Sequence, residues 1–216
     1  MIERLLFQND ACLVINKLPG ESSQGEMFPV HRLDKPVSGC LLFARNPEAA
    51  ALFGDAFARP AVSGLRGRVE KLYWAIIEKT PAAETLTPKG ELVHWIGVNK
   101  RTNKAFAFDK KKNLELKEAV LRYRVTGQGE HYLFLEIDLV TGRHHQIRAQ
   151  LAALGLHIKG DLKYGARRSE KTGGIRLHAY SLAFPDPMNP GETIKVTAPP
   201  PVMDSLWKAF TSADAL

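Results

Sequence analysis

Apolar and alternating runs along the chain predict strands more often than helices. Each run is short, and turn-forming residues such as Pro19-Gly20 and Asn189-Pro190-Gly191 separate neighbouring runs. The predicted strands lie at 11–16, 40–44, 72–77, 91–97, 119–126, 131–140, 177–184 and 193–197. The chain is therefore predicted to be rich in strands.

Helical patterns are fewer and do not alternate regularly with the strands. Residues 47–58 begin with Pro47, a favoured first residue of helices, and are rich in alanine. Residues 202–210 predict a short closing helix. Together these patterns predict one α+β domain over residues 1–216, with a mixed, mostly antiparallel central sheet and flanking helices.

Composition narrows the class of protein. Thirty Lys and Arg residues against 23 Asp and Glu residues give a net charge of +7, which favours polyanionic partners such as nucleic acids. No run of 18 apolar residues is present, and charged residues interrupt the first 16 positions. Cys12 and Cys40 form no Cys-x-x-Cys pair, and we expect both to be buried and reduced. We expect a cytoplasmic protein without a membrane span.

The stretch His31-Arg32-Leu33-Asp34-Lys35-Pro36-Val37-Ser38-Gly39 places one carboxylate among cations, just before an apolar strand. Proline and glycine predict a tight loop, from which Asp34 is presented and held ionised by its basic neighbours. Taken alone, the same pattern is also typical of an ordinary ion pair in a surface turn.

A second stretch, Thr141 to Arg148, leads into an apolar helix predicted over 144–154 and ending at Gly155. Arg148 follows a core position, so it is expected at the edge of the buried face. The adjacent His144 and His145 resemble a metal pair. Neighbouring helical residues point about 100° apart, however, and no further ligands stand at a recognisable spacing, so no metal site is predicted.

A third stretch, Lys71-Leu72-Tyr73-Trp74-Ala75, begins a strand. Alternation places Tyr73 and Lys71 on one face of that strand. Tyr73 is then either a residue that stacks on a nucleobase or a half-buried sheet residue.

Four blocks occur in a fixed order over residues 31–184: HRLDKPVSG, KLYWA, TGRHHQIRAQLAALGLHIKGDLKYG and RLHAYSLAF. This ordered set resembles the RluA-type RNA pseudouridine synthases, as does LVINKLPG at 13–20. The resemblance covers the catalytic domain, and the accessory N-terminal RNA-binding domain of many members is expected to be absent.

The resemblance implies roles for individual residues. Asp34 matches the catalytic aspartate, Tyr73 the tyrosine that contacts the target base, and Arg148 the basic residue that pairs with the aspartate. The residues expected to bind substrate are His31, Arg32, Arg143 and Leu177.

The implied reaction isomerises uridine within transfer or ribosomal RNA and needs no cofactor. Two basic stretches, 100–112 and 159–176, are candidate phosphate contacts, although a solvated loop explains the first equally well. The alternatives are a non-catalytic RNA-binding or RNA-chaperone protein of the same fold, and a small-molecule lyase or hydrolase, which the net charge disfavours. We expect a monomer.

Overall fold

The structure is a computed structural model that describes residues 4–23, 27–58, 69–171 and 173–213. In chain order the elements are β1 (Leu5–Gln8), β2 (Cys12–Lys17), β3 (Phe28–Pro29), β4 (Ser38–Ala44), α1 (Pro47–Ala58), β5 (Glu70–Glu78), α2 (Pro81–Glu84), β6 (Lys89–Asn99), β7 (Lys104–Phe108), β8 (Lys117–Gln128), β9 (Tyr132–Asp138), α3 (Gln146–Ala153), β10 (Leu177–Pro185), β11 (Thr193–Thr197) and α4 (Ser205–Ala213). A 3-10 turn, Leu162–Tyr164, lies between α3 and β10.

Contacts divide the chain into two compact units. The first comprises Met1–Leu72 and His178–Val202, and the second comprises Tyr73–Leu177 and Met203–Leu216.

The sheet of the first unit has the order β1-β2-β4-β10, with β11 paired to β10 and β3 paired to β4. Strand β4 pairs in parallel with β10 and antiparallel with β2, so this sheet is mixed. All seven residues of β4 are buried. An apolar run buried on both faces is typical of a central strand, and β4 begins directly after the loop that carries Asp34.

Helix α1 packs on this sheet through Ala49, Phe53 and Ala56, which are three and four residues apart and lie on one face. The Phe53 ring meets the Phe184 ring edge-on, with 5.7 Å between centroids. At the start of α1, Asn46 Oδ1 accepts a hydrogen bond from the Ala49 amide at 2.8 Å. An amide side chain that caps the first turn, followed by proline, explains why the helix begins here.

The sheet of the second unit has the order β5-β9-β8-β6-β7. The pairings β9–β8, β8–β6 and β6–β7 are antiparallel. Ala149 of α3 packs against Ile96, Ala105 and Ala119 of this sheet, together with Tyr164. Helix α3 is therefore anchored on one face of the β6–β8 strands.

Helix α4 closes the second unit with aromatic side chains. The Phe210 ring lies 4.7 Å from the Trp74 ring of β5 and 5.6 Å from the Phe134 ring of β9, measured between centroids. Trp207 is also buried and lies beside Trp74. Large aromatic faces contribute much of the apolar area that such a small helix buries.

The α+β class and the mostly antiparallel pairing are confirmed, as are the predicted helix at 47–58 and the end of α3 at Gly155. Gly155 has φ 71°, and the Leu156 amide bonds back to the Leu151 carbonyl, which is how a left-handed residue ends a helix. The strands β1, β3 and β7 were not predicted. Among the described residues, no helix is long and apolar enough to span a membrane.

Candidate active site

Asp34 lies in the loop that precedes β4, as predicted, and its side chain is half-buried. The Val37 amide donates to the Asp34 carbonyl at 2.9 Å, which closes a tight turn over Lys35 and Pro36. The carboxylate is therefore carried on a four-residue turn whose backbone is fixed by its own hydrogen bond.

A buried lysine holds this turn from beneath. Lys17, at the end of β2, has no exposed surface, and its Nζ donates to the carbonyls of Leu18, Lys35 and Val37 at 2.9, 3.2 and 2.6 Å. Burial lowers the pKa of Lys17 to about 8, although the charges of Glu21 and Asp34 oppose this shift. At neutral pH the ammonium still carries the three protons that three carbonyls require.

A serine fixes Leu33, the residue before Asp34. Ser23 Oγ donates to the Leu33 carbonyl at 2.8 Å and accepts from the Leu33 amide at 3.0 Å. On the far side of the turn, the Gly20 amide donates to the Lys35 carbonyl at 2.7 Å. Backbone contacts on both sides of Asp34 therefore pre-organise its position.

Lys17→Met is expected to lower the stability of the fold by about 3 kcal/mol, because three carbonyls lose their donor and Val37 lies in the core. The measurement is denaturant unfolding of the purified variant. Lys195→Met is the matched control, since Lys195 is exposed on β11 of the same unit. Equal stability of the two variants would show that Lys17 does not hold the turn.

Hydrogen bonds of His178 join the start of β4, which follows the Asp34 loop, to β10. Ser38 Oγ donates to His178 Nδ1 at 2.8 Å, and His178 Nε2 donates to the Ala198 carbonyl at 2.9 Å. Burial lowers the pKa of His178 to about 4, so the ring is neutral and can accept from the serine. His178 is thus a structural anchor for the strand that follows Asp34.

His31 and Arg32, two predicted substrate-binding residues, lie just before Asp34. His31 Nε2 accepts from the Leu42 amide at 3.1 Å, and its ring stacks on Phe57 at 5.0 Å. Burial, and then the charge of Lys71, lowers the pKa of His31 to about 3. Arg32 is exposed. The contacts of His31 hold β4 and α1, and a substrate role for either residue stays a prediction.

In the second unit, Gln146 organises the loop of the central motif. Its Oε1 accepts from the Thr141 hydroxyl at 2.8 Å and from the Arg143 amide at 2.9 Å, while its Nε2 donates to the Val120 carbonyl at 3.1 Å. Arg143 is exposed, and its Nε donates to the Glu118 carbonyl at 2.9 Å. The buried amide therefore fixes the loop on which Arg143 stands.

The two histidines of this motif precede the helix, which corrects the expectation that it begins at residue 144. His145 has φ 51°, a left-handed conformation that no helical residue adopts, and α3 begins at Gln146. The imidazole rings of His144 and His145 stack with 3.8 Å between centroids. The geometric reason given against a metal pair, adjacent positions on a helix, therefore does not apply.

Arg148 is buried and held in a fixed orientation. Its Nε and Nη2 donate to the two carboxylate oxygens of Asp161 at 2.6 and 2.9 Å, a bidentate pair. Its guanidinium carbon lies 4.7 Å from the centre of the Tyr164 ring. The Tyr164 hydroxyl lies 2.9 Å from His145 Nδ1 and accepts from the Ala105 amide at 2.8 Å. Asp161 and Tyr164 thus set the plane of the guanidinium.

The predicted site residues fall into both units. His31, Arg32 and Asp34 lie together on one loop of the first unit. The second unit contains Tyr73, Arg143, Arg148 and Leu177. Tyr73 is 7% exposed near the start of β5, and Leu177 is buried at the start of β10. That the residues of both units serve one reaction, with Arg148 paired to Asp34, stays a prediction.

The basic stretch 159–176 contains a buried ion network. Glu170 Oε2 accepts from Lys159 at 2.5 Å and from Arg176 at 2.8 Å, and Arg176 also forms a bidentate pair with Asp204. Lys159 and Arg176 therefore stabilise the loop and α4. The exposed cations of this stretch are Lys163, Arg167, Arg168 and Lys171.

The network makes the fold sensitive to acid. Burial by itself raises the pKa of Glu170, but hydrogen bonds from Arg176 and Lys159 outweigh burial and lower the pKa to about 2 from the ordinary 4.5. The stabilisation is complete above pH 4.5 and is lost as the pH falls towards 2. Glu170→Gln is expected to lower the free energy of unfolding by about 3 kcal/mol at pH 7. The stability of this variant should also fall less than that of the wild type as the pH is lowered.

Thermal unfolding of wild type and Glu170→Gln across pH 2 to 7 measures this effect. Glu115→Gln, at an exposed position of the same unit, is the control. If both variants follow the wild-type acid profile, the network does not contribute to stability.

Sequence reasoning missed Lys17, Gln146 and Asp161. Lys17 lies in the LVINKLPG run, where a lysine at the end of an apolar strand indicates a buried charge with specific acceptors. Gln146 lies inside the HQIR block. Asp161 lies 13 positions beyond Arg148, and no local sequence pattern predicts that these two residues pair.

Comparison with known proteins agrees with this architecture. Residues 7–153 match the family model described as RNA pseudouridylate synthase. Over 99% of this chain and 94% of the other, the fold resembles human RNA pseudouridylate synthase domain containing 4, with a TM-score of 0.72 and 20% identity.

Two bacterial relatives are more similar in sequence. An uncharacterised RNA pseudouridine synthase of Zymomonas mobilis is 34% identical over 154 residues, which are 71% of this chain and 64% of that protein. The tRNA pseudouridine synthase C of Haemophilus ducreyi is 31% identical over 201 residues, with 84% and 74% covered. The chain thus spans about two thirds to three quarters of the length of these relatives. From the match over residues 7–153, the chain belongs to the RNA pseudouridylate synthase family.

Proposed function

We propose that this chain is an RNA pseudouridine synthase that isomerises specific uridines in structured RNA, either transfer RNA or ribosomal RNA. The observation that carries the proposal is the Asp34 turn, whose backbone is fixed by Lys17 and Ser23. A rigidly presented carboxylate suits a reaction in which positive charge develops at one carbon of the substrate. The name of the Haemophilus relative favours transfer RNA as the first substrate to test.

In the proposed reaction, the bond between N1 of uracil and C1′ of ribose breaks. The freed base turns, C5 bonds to C1′, and the proton on C5 is lost while N1 gains one, so product and substrate have the same composition. Asp34 stabilises the positive character at C1′ or attacks that carbon. Because nothing is oxidised or added, the reaction requires no cofactor.

Two further residues support this chemistry in the proposal. Arg148, oriented by Asp161, would pair with the Asp34 carboxylate. Tyr73 would stack on the uracil of the target nucleotide, which must first leave its helical stack at a cost of a few kcal/mol. Substrate contacts are assigned to His31, Arg32, Arg143 and Leu177.

We also propose that residues 1–216 act as one catalytic domain, as a monomer in the cytoplasm. The buried, free Cys12 and Cys40 are compatible with a reducing compartment. Sedimentation of the purified chain tests the monomer, and cell fractionation tests the compartment.

The experiment that tests the function is pseudouridine mapping of total RNA by carbodiimide labelling and primer extension. RNA from cells with and without this gene is compared. Loss of signal at one or a few uridines, restored by the wild-type gene, is the expected result and also identifies the substrate. An unchanged map, together with no conversion of transfer or ribosomal RNA by the purified protein, would contradict the proposal.

A further inference from the structure

One face of the β6–β7 hairpin carries three aromatic side chains. In the antiparallel register, Trp95 is opposite Phe108 and Gly97 is opposite Phe106, so these residues point to the same side of the sheet. The neighbouring positions Ile96 and Ala105 point to the other side and pack against α3. Trp95, Phe106 and Phe108 form what we call the aromatic face.

The aromatic face is partly open to solvent. Phe106 is 44% exposed and Val93, two residues before Trp95, is 50% exposed, while Trp95 and Phe108 are half-buried. The segment that follows β7 turns back across this face. Leu116 packs so closely over Gly97 that a Cβ there would lie 2.6 Å from it. The exposed parts of these aromatic rings are flat surfaces on which a nucleobase can stack.

Each ring of the aromatic face has a lysine ammonium above it. Nζ of Lys111 lies 5.0 Å from the Trp95 ring, and Nζ of Lys112 lies 4.9 Å from the Phe108 ring. Nζ of Lys104 lies 5.6 Å from the Phe106 ring. Positive charge therefore lies over each of the three rings of the aromatic face.

The charge around the aromatic face favours a polyanion. Residues 100–118 contain seven Lys or Arg side chains against three carboxylates. All three carboxylates, Asp109, Glu115 and Glu118, are exposed, and Asp109 lies 3.5 Å from His94 Nε2. A second copy of the same face would bring like charges together, which disfavours self-association.

Single-stranded RNA fits both features of the surface. A nucleobase that stacks on an aromatic ring gains more than an exposed ammonium over the same ring, so a base can displace the lysine. The displaced ammonium remains beside the ring, where the phosphate of the same strand would lie, and its binding releases counterions. We propose that the aromatic face binds a single-stranded segment of RNA, with bases on Trp95 and Phe106 and phosphates on Lys104, Lys111 and Lys112.

This inference takes only one point from the proposed function, namely that the ligand is RNA. The contacts involve ring faces and phosphates, so they do not select a base, and binding does not require uridine. The surface would hold a strand flanking the target and would increase affinity for RNA without choosing the modified position.

The test uses a fluorescent single-stranded RNA of alternating adenosine and cytidine, which contains no uridine to isomerise. Phe106→Leu keeps an apolar side chain and removes the ring, and is expected to weaken binding roughly tenfold. Phe106→Tyr keeps the ring and is expected to bind as wild type does. Leu114→Ala, at a side chain 92% exposed in the same segment, is the control and should change nothing.

Salt dependence separates stacking from charge. Lys111→Gln is expected to reduce the slope of log affinity against log salt by about 0.7, the value for one contact with a single strand. Phe106→Leu should weaken binding and keep the wild-type slope. Lys195→Gln removes one exposed charge from β11, in the other unit, and should keep both affinity and slope.

Wild-type affinity and slope in both Phe106→Leu and Lys111→Gln would overturn the proposal. So would sedimentation that shows self-association of the wild type, lost in Phe106→Leu, with RNA affinity unchanged. The result is independent of catalysis: if the wild type converts no uridine yet binds this RNA through Phe106, the aromatic face stands and the proposed function fails. If the wild type converts uridine and Phe106 has no effect on binding, the proposed function stands and the aromatic face fails.

Discussion

Asp34→Asn is expected to reduce pseudouridine formation on the order of 10⁴-fold or more, because a neutral amide neither attacks C1′ nor stabilises positive charge there. The side chain keeps its size, and the loop is held through backbone groups by Lys17 and Ser23. The variant should therefore fold as the wild type does and retain its affinity for RNA. Conversion of purified transfer RNA, measured by carbodiimide labelling, gives the rate.

The control for this substitution is Asp10→Asn, since Asp10 is an exposed carboxylate in the same unit. It should leave turnover, melting temperature and RNA affinity unchanged. Substantial turnover in Asp34→Asn, at the wild-type melting temperature, would show that Asp34 is not the catalytic carboxylate. If the wild type itself binds RNA and converts none, the non-catalytic RNA-binding alternative takes precedence.

Gly39→Ala is expected to destabilise the protein by about 4 kcal/mol or more. Gly39 is the second residue of β4, with φ 116°, and a Cβ there would lie 2.3 Å from the Ala179 carbonyl oxygen. Gly39 and Ala179 are paired in the parallel register of β4 and β10, so neither backbone can withdraw without opening the sheet. Both the left-handed conformation and the contact require glycine.

Gly20→Ala is the matched control, because it shares one of these two features. Gly20 also has a positive φ, 88°, but among the described residues, apart from its chain neighbours, no atom lies within 4 Å of the position of a Cβ. It should cost about 1 kcal/mol, the strain of the left-handed backbone alone. Denaturant unfolding gives the stability of both variants. If Gly39→Ala does not fold, the soluble yields of the two variants are compared instead. Equal losses in the two would show that the approach of β10 does not limit residue 39.

Part of the site was predictable because it depends on local sequence. Proline and glycine around Asp34 predict a loop before an apolar strand, and the structure has that loop and β4. Pro47 begins α1 where the sequence indicates. Each of these features arises from backbone preferences of a few consecutive residues.

Local pattern also misled in two places. Lys104–Phe108 was treated as part of a basic stretch, yet its alternation of alanine and phenylalanine forms β7, the strand that carries part of the aromatic face. The predicted start of α3 at residue 144 was wrong, because Gln146 turns its side chain back to Thr141 and Arg143 and leaves His145 left-handed. The lysines of residues 100–112 drew attention away from the strand pattern of β7. The start of α3 depends on the contacts of the Gln146 side chain.

By itself the sequence determined the family, the α+β class, the loop that carries Asp34 and the approximate positions of the central strands. Only the tertiary structure decided which groups hold the candidate residues in place: Lys17 beneath the Asp34 turn, and Asp161 and Tyr164 around Arg148. The physical reason is distance along the chain. Propensities act over a few residues, whereas a buried charge is stabilised by whichever polar groups the fold brings within hydrogen-bond reach, and those lie up to 20 positions away for Lys17.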